Sequence, residues 1–269
     1  MKPSATCRQR GFTLLETVIA IGVLAVLLTG FMVVFAPAAD GIRKSINVQQ
    51  ADRMASALEQ ELVTLRKGEQ SGDIATGFDK AFYRVKDSTG PNQSGQDSGN
   101  PDNALLVYQY RAKISSFRDD GTPQPEATLG DKVAGKDYII VPMMRRRNDP
   151  LFRDPKTGDV AAVEGGVYLV KCVQLVFENA ALQPIDQTDK SLRGKIKNPK
   201  PNSTPPDPNY KSGPFTVPTE FPEAVVAFTV DFYMVPTKAP SYFGSGGKFD
   251  SFYTKAKTPF FTRNLAVRR

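Results

Sequence analysis

The chain has 269 residues, carries a net charge of +7, and contains neither histidine nor tryptophan. Lack of histidine removes Ser-His and Cys-His nucleophiles and imidazole metal ligands from consideration. The positive charge is mild and dispersed, so it does not by itself imply a nucleic-acid partner.

The first residues are basic and free of acid, with Lys2, Arg8 and Arg10 ahead of Gly11. Such a leader stays on the cytoplasmic side of a membrane. Through residues 12–36 the only ionisable side chain is Glu16, and the run is long enough to span a bilayer as a helix. A carboxylate within lipid costs roughly 2–3 kcal/mol or more, less near the interface, so Glu16 calls for a functional reason. Two plain readings compete for this segment. A secretory signal peptide finds an A-x-A-like site at Ala36-Pro37-Ala38, yet its apolar region is usually only about 7–15 residues long. An ordinary transmembrane anchor explains the length, but not Gly11-Phe12 and Glu16 together.

Gly11-Phe12-Thr13-Leu14-Leu15-Glu16-Thr17-Val18-Ile19-Ala20 resembles the processing and assembly segment of type IV pilins and type II secretion pseudopilins. The resemblance implies that a prepilin peptidase cuts between Gly11 and Phe12. It also implies that the new N-terminus, Phe12, is N-methylated and that Glu16 is the assembly glutamate. The residues suit these roles. Gly11 leaves an extended backbone open to a peptidase. After cleavage, the Phe12 amine lies about 6 Å along the helix axis from Glu16. Between staggered subunits such a pair sets register, because an unpaired buried charge is expensive. Loss of the leader removes three positive charges and Cys7, leaving Cys172 without an internal partner. The alternating apolar context of Cys172 marks it as a small buried residue on a strand.

Beyond Pro37, a proline able to kink the run, the helix continues. Ile42, Ile46, Met54, Leu58, Leu62 and Leu65 recur at helical spacing, an amphipathic stripe closing at a C-cap near Lys67-Gly68. Residues 87–103 read as a polar exposed loop. Strands are predicted over 104–114, 138–142, 166–177, 224–235 and 260–267. Residues 143–163 read as a turn-rich excursion and 240–247 as a connector. Residues 184–222, crowded with Pro, Lys, Asn and Ser, read as a long loop too poor in apolar residues to carry core.

The chain therefore divides into a leader (1–11), a membrane-spanning half-helix (12–36), an amphipathic half-helix (37–67), and a β-rich extracytoplasmic domain (68–269) with long loops at 87–103 and 184–222. One long helix followed by hairpin-length connections predicts an α+β fold, the helix packed on an antiparallel sheet. Pilin-like proteins share this architecture. Segments 173–177, 221–230 and 261–267 also resemble, less specifically, the late strands of minor pseudopilins.

Three further patterns invite reading as sites. Asp149, Asp154 and Asp159 offer oxygen ligands of the kind calcium takes, but their spacing is not that of an EF-hand, and Asp-Pro and Thr-Gly-Asp are turn sequences. Arg145-Arg146-Arg147 could meet phosphate or acidic lipid; a solvated loop face is the plainer reading, since no aromatic residues interleave. Gly244-Ser-Gly-Gly-Lys248 fails as a phosphate loop, with Tyr242 and Phe249 in place of the required Gly and Ser or Thr. No cofactor or metal is expected, and no enzymatic activity.

The resemblance implies a structural subunit, a minor pseudopilin or minor pilin, held by a single pass in the inner membrane with its C-terminal domain outside the cytoplasm. Its implied partners are a prepilin peptidase, other pilin or pseudopilin subunits, the assembly platform and ATPase, and the membrane; nucleic acid is not expected. Type II secretion ranks ahead of a type IV pilus. The alternative is a membrane-tethered binding module, an adhesin or DNA-uptake component.

Overall fold

The computed structural model describes residues 13–70, 72–88, 100–178, 180–185, 190–192, 194–200, 208–244, 248–256 and 258–269. The chain divides into two compact units, Met1–Gln49 and Gln50–Arg269. Helix α1, Leu14–Val63, runs from the first into the second and contains Pro37.

In the first unit, α1 exposes apolar side chains from Leu14 to Phe35, and the Phe31 and Phe35 rings stack at 3.8 Å. The hydroxyls of Thr17 and Thr29 donate back to the carbonyls of Leu14 and Ala25, each at 2.8 Å. That arrangement satisfies them without water, as a lipid environment requires. Among the described residues this is the one helix long and apolar enough to cross a membrane.

The second unit is built on a seven-stranded antiparallel sheet. Its strands are β1 (Leu105–Phe117), β2 (Pro123–Pro125), β3 (Tyr138–Arg146), β4 (Val163–Glu178), β5 (Ala181–Pro184), β6 (Val225–Met234) and β7 (Phe261–Arg268). The main run is β3–β1–β4–β6–β7, with β2 paired to β1 and β5 to β4. Together with the long helix this makes the fold α+β and pilin-like, and each of the five predicted strands falls on an observed one.

Both faces of the sheet are covered, which explains strands that read as continuous apolar runs. On one face, Met54, Leu58 and Leu62 of α1 and Phe78, Phe82 and Val85 of α2 (Gly77–Ser88) meet Val107, Val170, Phe228 and Val230. On the other, Leu106, Tyr108 and Leu169 meet Phe152 of α3 (Pro150–Arg153) and Phe249 and Tyr253 of α4 (Lys248–Lys255). Helix α1 ends at Val63, before Gly68, which occupies a later turn at φ +91°. Its end is closed by side-chain chemistry instead. The buried Lys80 ammonium donates to Thr64 O at 2.7 Å and to Glu69 at 2.7 Å, and burial lowers its pKa against the pull of Glu69. Gly77 lies so close that a Cβ there would stand 2.1 Å from Val63 O.

Two further expectations need correction. Strand β3 continues through Arg146, so the supposed turn-rich excursion begins later than residue 143. The stretch 184–222 does carry core: Ile185, Leu192, Ile196, Phe215 and Phe221 are buried. Ile196 and Phe215 exchange backbone hydrogen bonds at 2.9 and 2.6 Å, and Phe221 packs edge-on to Phe82 and Phe215. These apolar residues are spaced too widely to create a periodic signal, yet Ile196, Phe215 and Phe221 join the core under α1 and α2 while Ile185 and Leu192 pack with Val173 and Val176. Of the loop at 87–103, residues 87 and 88 end α2 and Pro101–Asn103 form a 3₁₀ turn; residues 89–99 lie outside the described residues.

Candidate functional site: the helix N-terminus and the arginine run

Gly11 and Phe12 lie outside the described residues; Thr13 and Glu16 do not. Thr13 immediately precedes α1, and Thr13-Leu14-Leu15-Glu16 forms a reciprocal capping box. The Glu16 N–H donates to Thr13 Oγ1 at 3.3 Å, while Thr13 N–H and the Thr13 hydroxyl each donate to Glu16 Oε2 at 3.1 Å. Backbone groups that the first helical turn leaves unpaired are thereby satisfied, and the carboxylate sits where the helix dipole favours negative charge. The T-x-x-E pattern was visible in the sequence as a cap. Both bonds to the carboxylate fall on Oε2. An ionised carboxylate offers about four lone-pair sites, so Glu16 can cap its own helix and still accept from a donor elsewhere.

The arginine run lies at the end of β3, with alternate residues on opposite faces. Arg145 is buried. Its Nε donates to Asp159 at 3.0 Å, its Nη2 to Asp120 at 2.8 Å and its Nη1 to Asp149 at 3.2 Å. Arg147 is 1% exposed; it donates to Phe243 O at 3.0 Å, to Gly244 O and to Asp250, and lies over the Phe249 ring. Arg146 is half-buried and pairs with Asp87 at 2.9 Å. The solvated loop face expected for this run is therefore corrected. Arg145 and Arg147 are internal braces with their charges already matched, because the end of β3 and the turn directly after it carry them inward.

The three aspartates do three different jobs. Asp159 is fully buried and accepts from Tyr108 OH at 2.6 Å, Arg118 at 2.7 Å and Arg145 at 3.0 Å. Asp149 caps α3 through Leu151 N–H at 2.9 Å and pairs with Arg145. Asp154 closes a turn by accepting from Lys156 and Thr157 N–H at 2.8 and 3.0 Å, and those bonds lower its pKa. Among the described residues no group of three or more carboxylate or thiol side chains is arranged to hold a metal ion. Burial would raise the Asp120 carboxyl, but hydrogen bonds from Thr122 and Arg145 outweigh it and hold it down to about 2. Burial pushes the Cys172 thiol up to about 12, the behaviour of an inert core residue.

At the C-terminus, Arg269 donates to Pro218 O at 2.7 Å and covers the Phe78 ring.

Compared with known families, residues 6–32 match the prokaryotic N-terminal methylation motif, the prepilin-type cleavage and methylation signal of type IV pilin-like proteins. That stretch contains Gly11, Phe12, Thr13 and Glu16. No curated protein and no solved structure matches the chain.

Proposed function

We propose that this chain is a minor pilin-type subunit, processed by prepilin peptidase between Gly11 and Phe12, methylated at Phe12, and assembled into a filament through Glu16. The observation that carries the reading is the methylation-motif match over residues 6–32, of which residues 14–32 belong to a helix of membrane-spanning length whose first turn bears one carboxylate. The basic leader orients the helix, giving a single-pass inner-membrane protein with residues 68–269 on the extracytoplasmic side. Its partners are the peptidase, neighbouring pilin-type subunits, and the platform and ATPase that extract them from the bilayer. The late-strand likeness to minor pseudopilins puts type II secretion ahead of a type IV pilus. The subunit is structural rather than catalytic.

A ligand-binding role on a membrane tether has less to draw on, because Arg145 and Arg147 are occupied by internal ion pairs. The test is incorporation into filaments. In cells with the full assembly machinery, the tagged chain is expected in the sheared filament fraction. Glu16→Ala is expected to be cleaved normally yet absent from that fraction. Equal recovery of the variant, or recovery that does not depend on the ATPase, would remove the proposal.

A further inference from the structure

Strand β1 outruns its neighbour β4. Its pairing with β4 stops at Tyr110 and Val163, the first residue of β4, whereas its pairing with β3 continues to Lys113 and Tyr138. The two strands therefore project past β4 as a ribbon, and residues 127–137, which lead into β3, are exposed. Ile139 and Ile140 are neighbours and so lie on opposite faces; at 43% and 40% exposed, they leave neither face of the ribbon fully covered. Leu129 and Val133, 42% and 57% exposed, add to the apolar tip. The tip is held in shape: Val133 N–H donates to Asp137 Oδ2 at 2.8 Å, Gly135 N–H to Tyr138 O at 2.8 Å, and Lys132 pairs with Glu126 at 2.6 Å. We infer that this tip rests in the interfacial zone of the bilayer that α1 spans, an inference that depends on residues 12–36 being a membrane span.

The direction of α1 within the second unit argues for lipid as the occupant. Gln50, where α1 enters this unit, accepts from Tyr168 OH at 3.3 Å near the start of β4. Asp52 and Ser56 then meet Arg263, near the start of β7, at 2.9 and 3.2 Å. Val63 O lies beside Gly77, and the Phe78 ring next to it is covered by Arg269, just after β7. Within this unit α1 therefore runs in the direction of β7, which β4 shares because both are antiparallel to β6. Strand β1 runs against β4, so the ribbon points back toward the end at which α1 comes in.

The lengths agree. From Val107, the partner of Tyr168, to Lys113 the ribbon covers about 20 Å at about 3.4 Å per residue. Residues 37–49 of α1, between the apolar run and Gln50, also cover about 20 Å, at about 1.5 Å per residue. The tip is thus long enough to reach the surface from which the apolar run emerges. Its charges are mixed, Glu126, Asp131 and Asp137 against Lys132 and Lys136, so apolar contact rather than attraction to anionic headgroups carries the association. Phosphatidylcholine alone therefore suffices.

The test uses the full chain with Cys7→Ser, reconstituted in phosphatidylcholine vesicles, with a nitrobenzoxadiazole label on a single introduced cysteine; Cys172 is buried. The labelled variants are Val133→Cys at the tip, Leu182→Cys in β5 beyond the far end of the sheet, and Val23→Cys within the span. With lipid brominated near the carbonyl end of its acyl chains, the label at 133 is expected to lose at least about half its fluorescence, as fits a group seated about 5–10 Å into the headgroup–acyl boundary. The label at 23 is expected to be quenched and the label at 182 to be unaffected. Quenching at 23 with none at 133 would overturn the inference and leave the membrane span standing. No quenching at 23 would overturn the span and the inference with it. A label at 133 shielded from aqueous iodide, indifferent to brominated lipid and dependent on protein density would show that another protein covers the tip, which also overturns the inference.

Discussion

Replacing Asp159 with alanine tests whether the charged residues near the arginine run act as scaffold or as a ligand site. The carboxylate is fully buried and accepts from Tyr108, Arg118 and Arg145. Its loss strands the Tyr108 hydroxyl, itself 0% exposed, at a cost of about 1–3 kcal/mol. It also breaks a buried ion pair, typically worth about 3–5 kcal/mol when one partner is removed. Two features hold the total toward the low end: Arg145 keeps Asp120 and Asp149, and Arg118 keeps Thr157 O at 2.8 Å. The expected loss is therefore about 3–4 kcal/mol, a fall in Tm of about 6–16 °C for a domain of this size. Urea unfolding of the full chain, followed by far-ultraviolet circular dichroism, measures it. An Asp159–Arg145 double-mutant cycle should return a coupling above about 1 kcal/mol. A single-mutant loss below about 1 kcal/mol, or a coupling near zero, would show that the buried network does not hold this face of the sheet.

Gly77→Ala should be as damaging, because the added Cβ meets Val63 O at 2.1 Å and the end of α1 must shift; a cost of about 2 kcal/mol or more is expected, and wild-type stability would contradict the close approach. The Asp120 carboxyl, lowered from 3.8 to about 2 in the folded chain, contributes stability that is complete above its unfolded value and lost as pH falls through the folded one. The stability gap between the parent and Asp120→Asn should therefore narrow from pH 5 toward pH 2, and a gap constant across that window would sink the assignment. Cys172 is buried and Cys7 lies in the leader, so the processed native chain should resist maleimide labelling and take up one label after denaturation; rapid native labelling would refute that burial.

Much of the fold was legible because both strong signals are periodic. The five predicted strands alternate or run apolar, and the stripe from Met54 to Leu62 lies at helical spacing against the sheet. Helix α2 escaped notice although Phe78, Ala81, Phe82 and Val85 recur at helical spacing, because it is short and flanked by polar sequence. The core residues of 184–222 escaped because Ile196 and Phe215 become neighbours only through a long-range bridge. At the candidate site, Glu16 stood out as a lone carboxylate in an apolar run. Its bond to Thr13 is equally readable as T-x-x-E, a local cap that leaves the carboxylate able to accept from a second donor. The burial of the arginine run is not legible for a physical reason: three consecutive cations suggest a surface, and only the fold brings Asp120, Asp159 and Asp250 to meet them.

The central claim is that residues 6–32 are a working processing signal, and the mature N-terminus tests it most directly. The full chain is co-expressed with a prepilin peptidase, purified from membranes, and subjected to N-terminal sequencing and intact-mass measurement. The predicted product lacks residues 1–11 and begins with N-methylated Phe12. A retained leader, or a terminus elsewhere such as after Ala38, would contradict it.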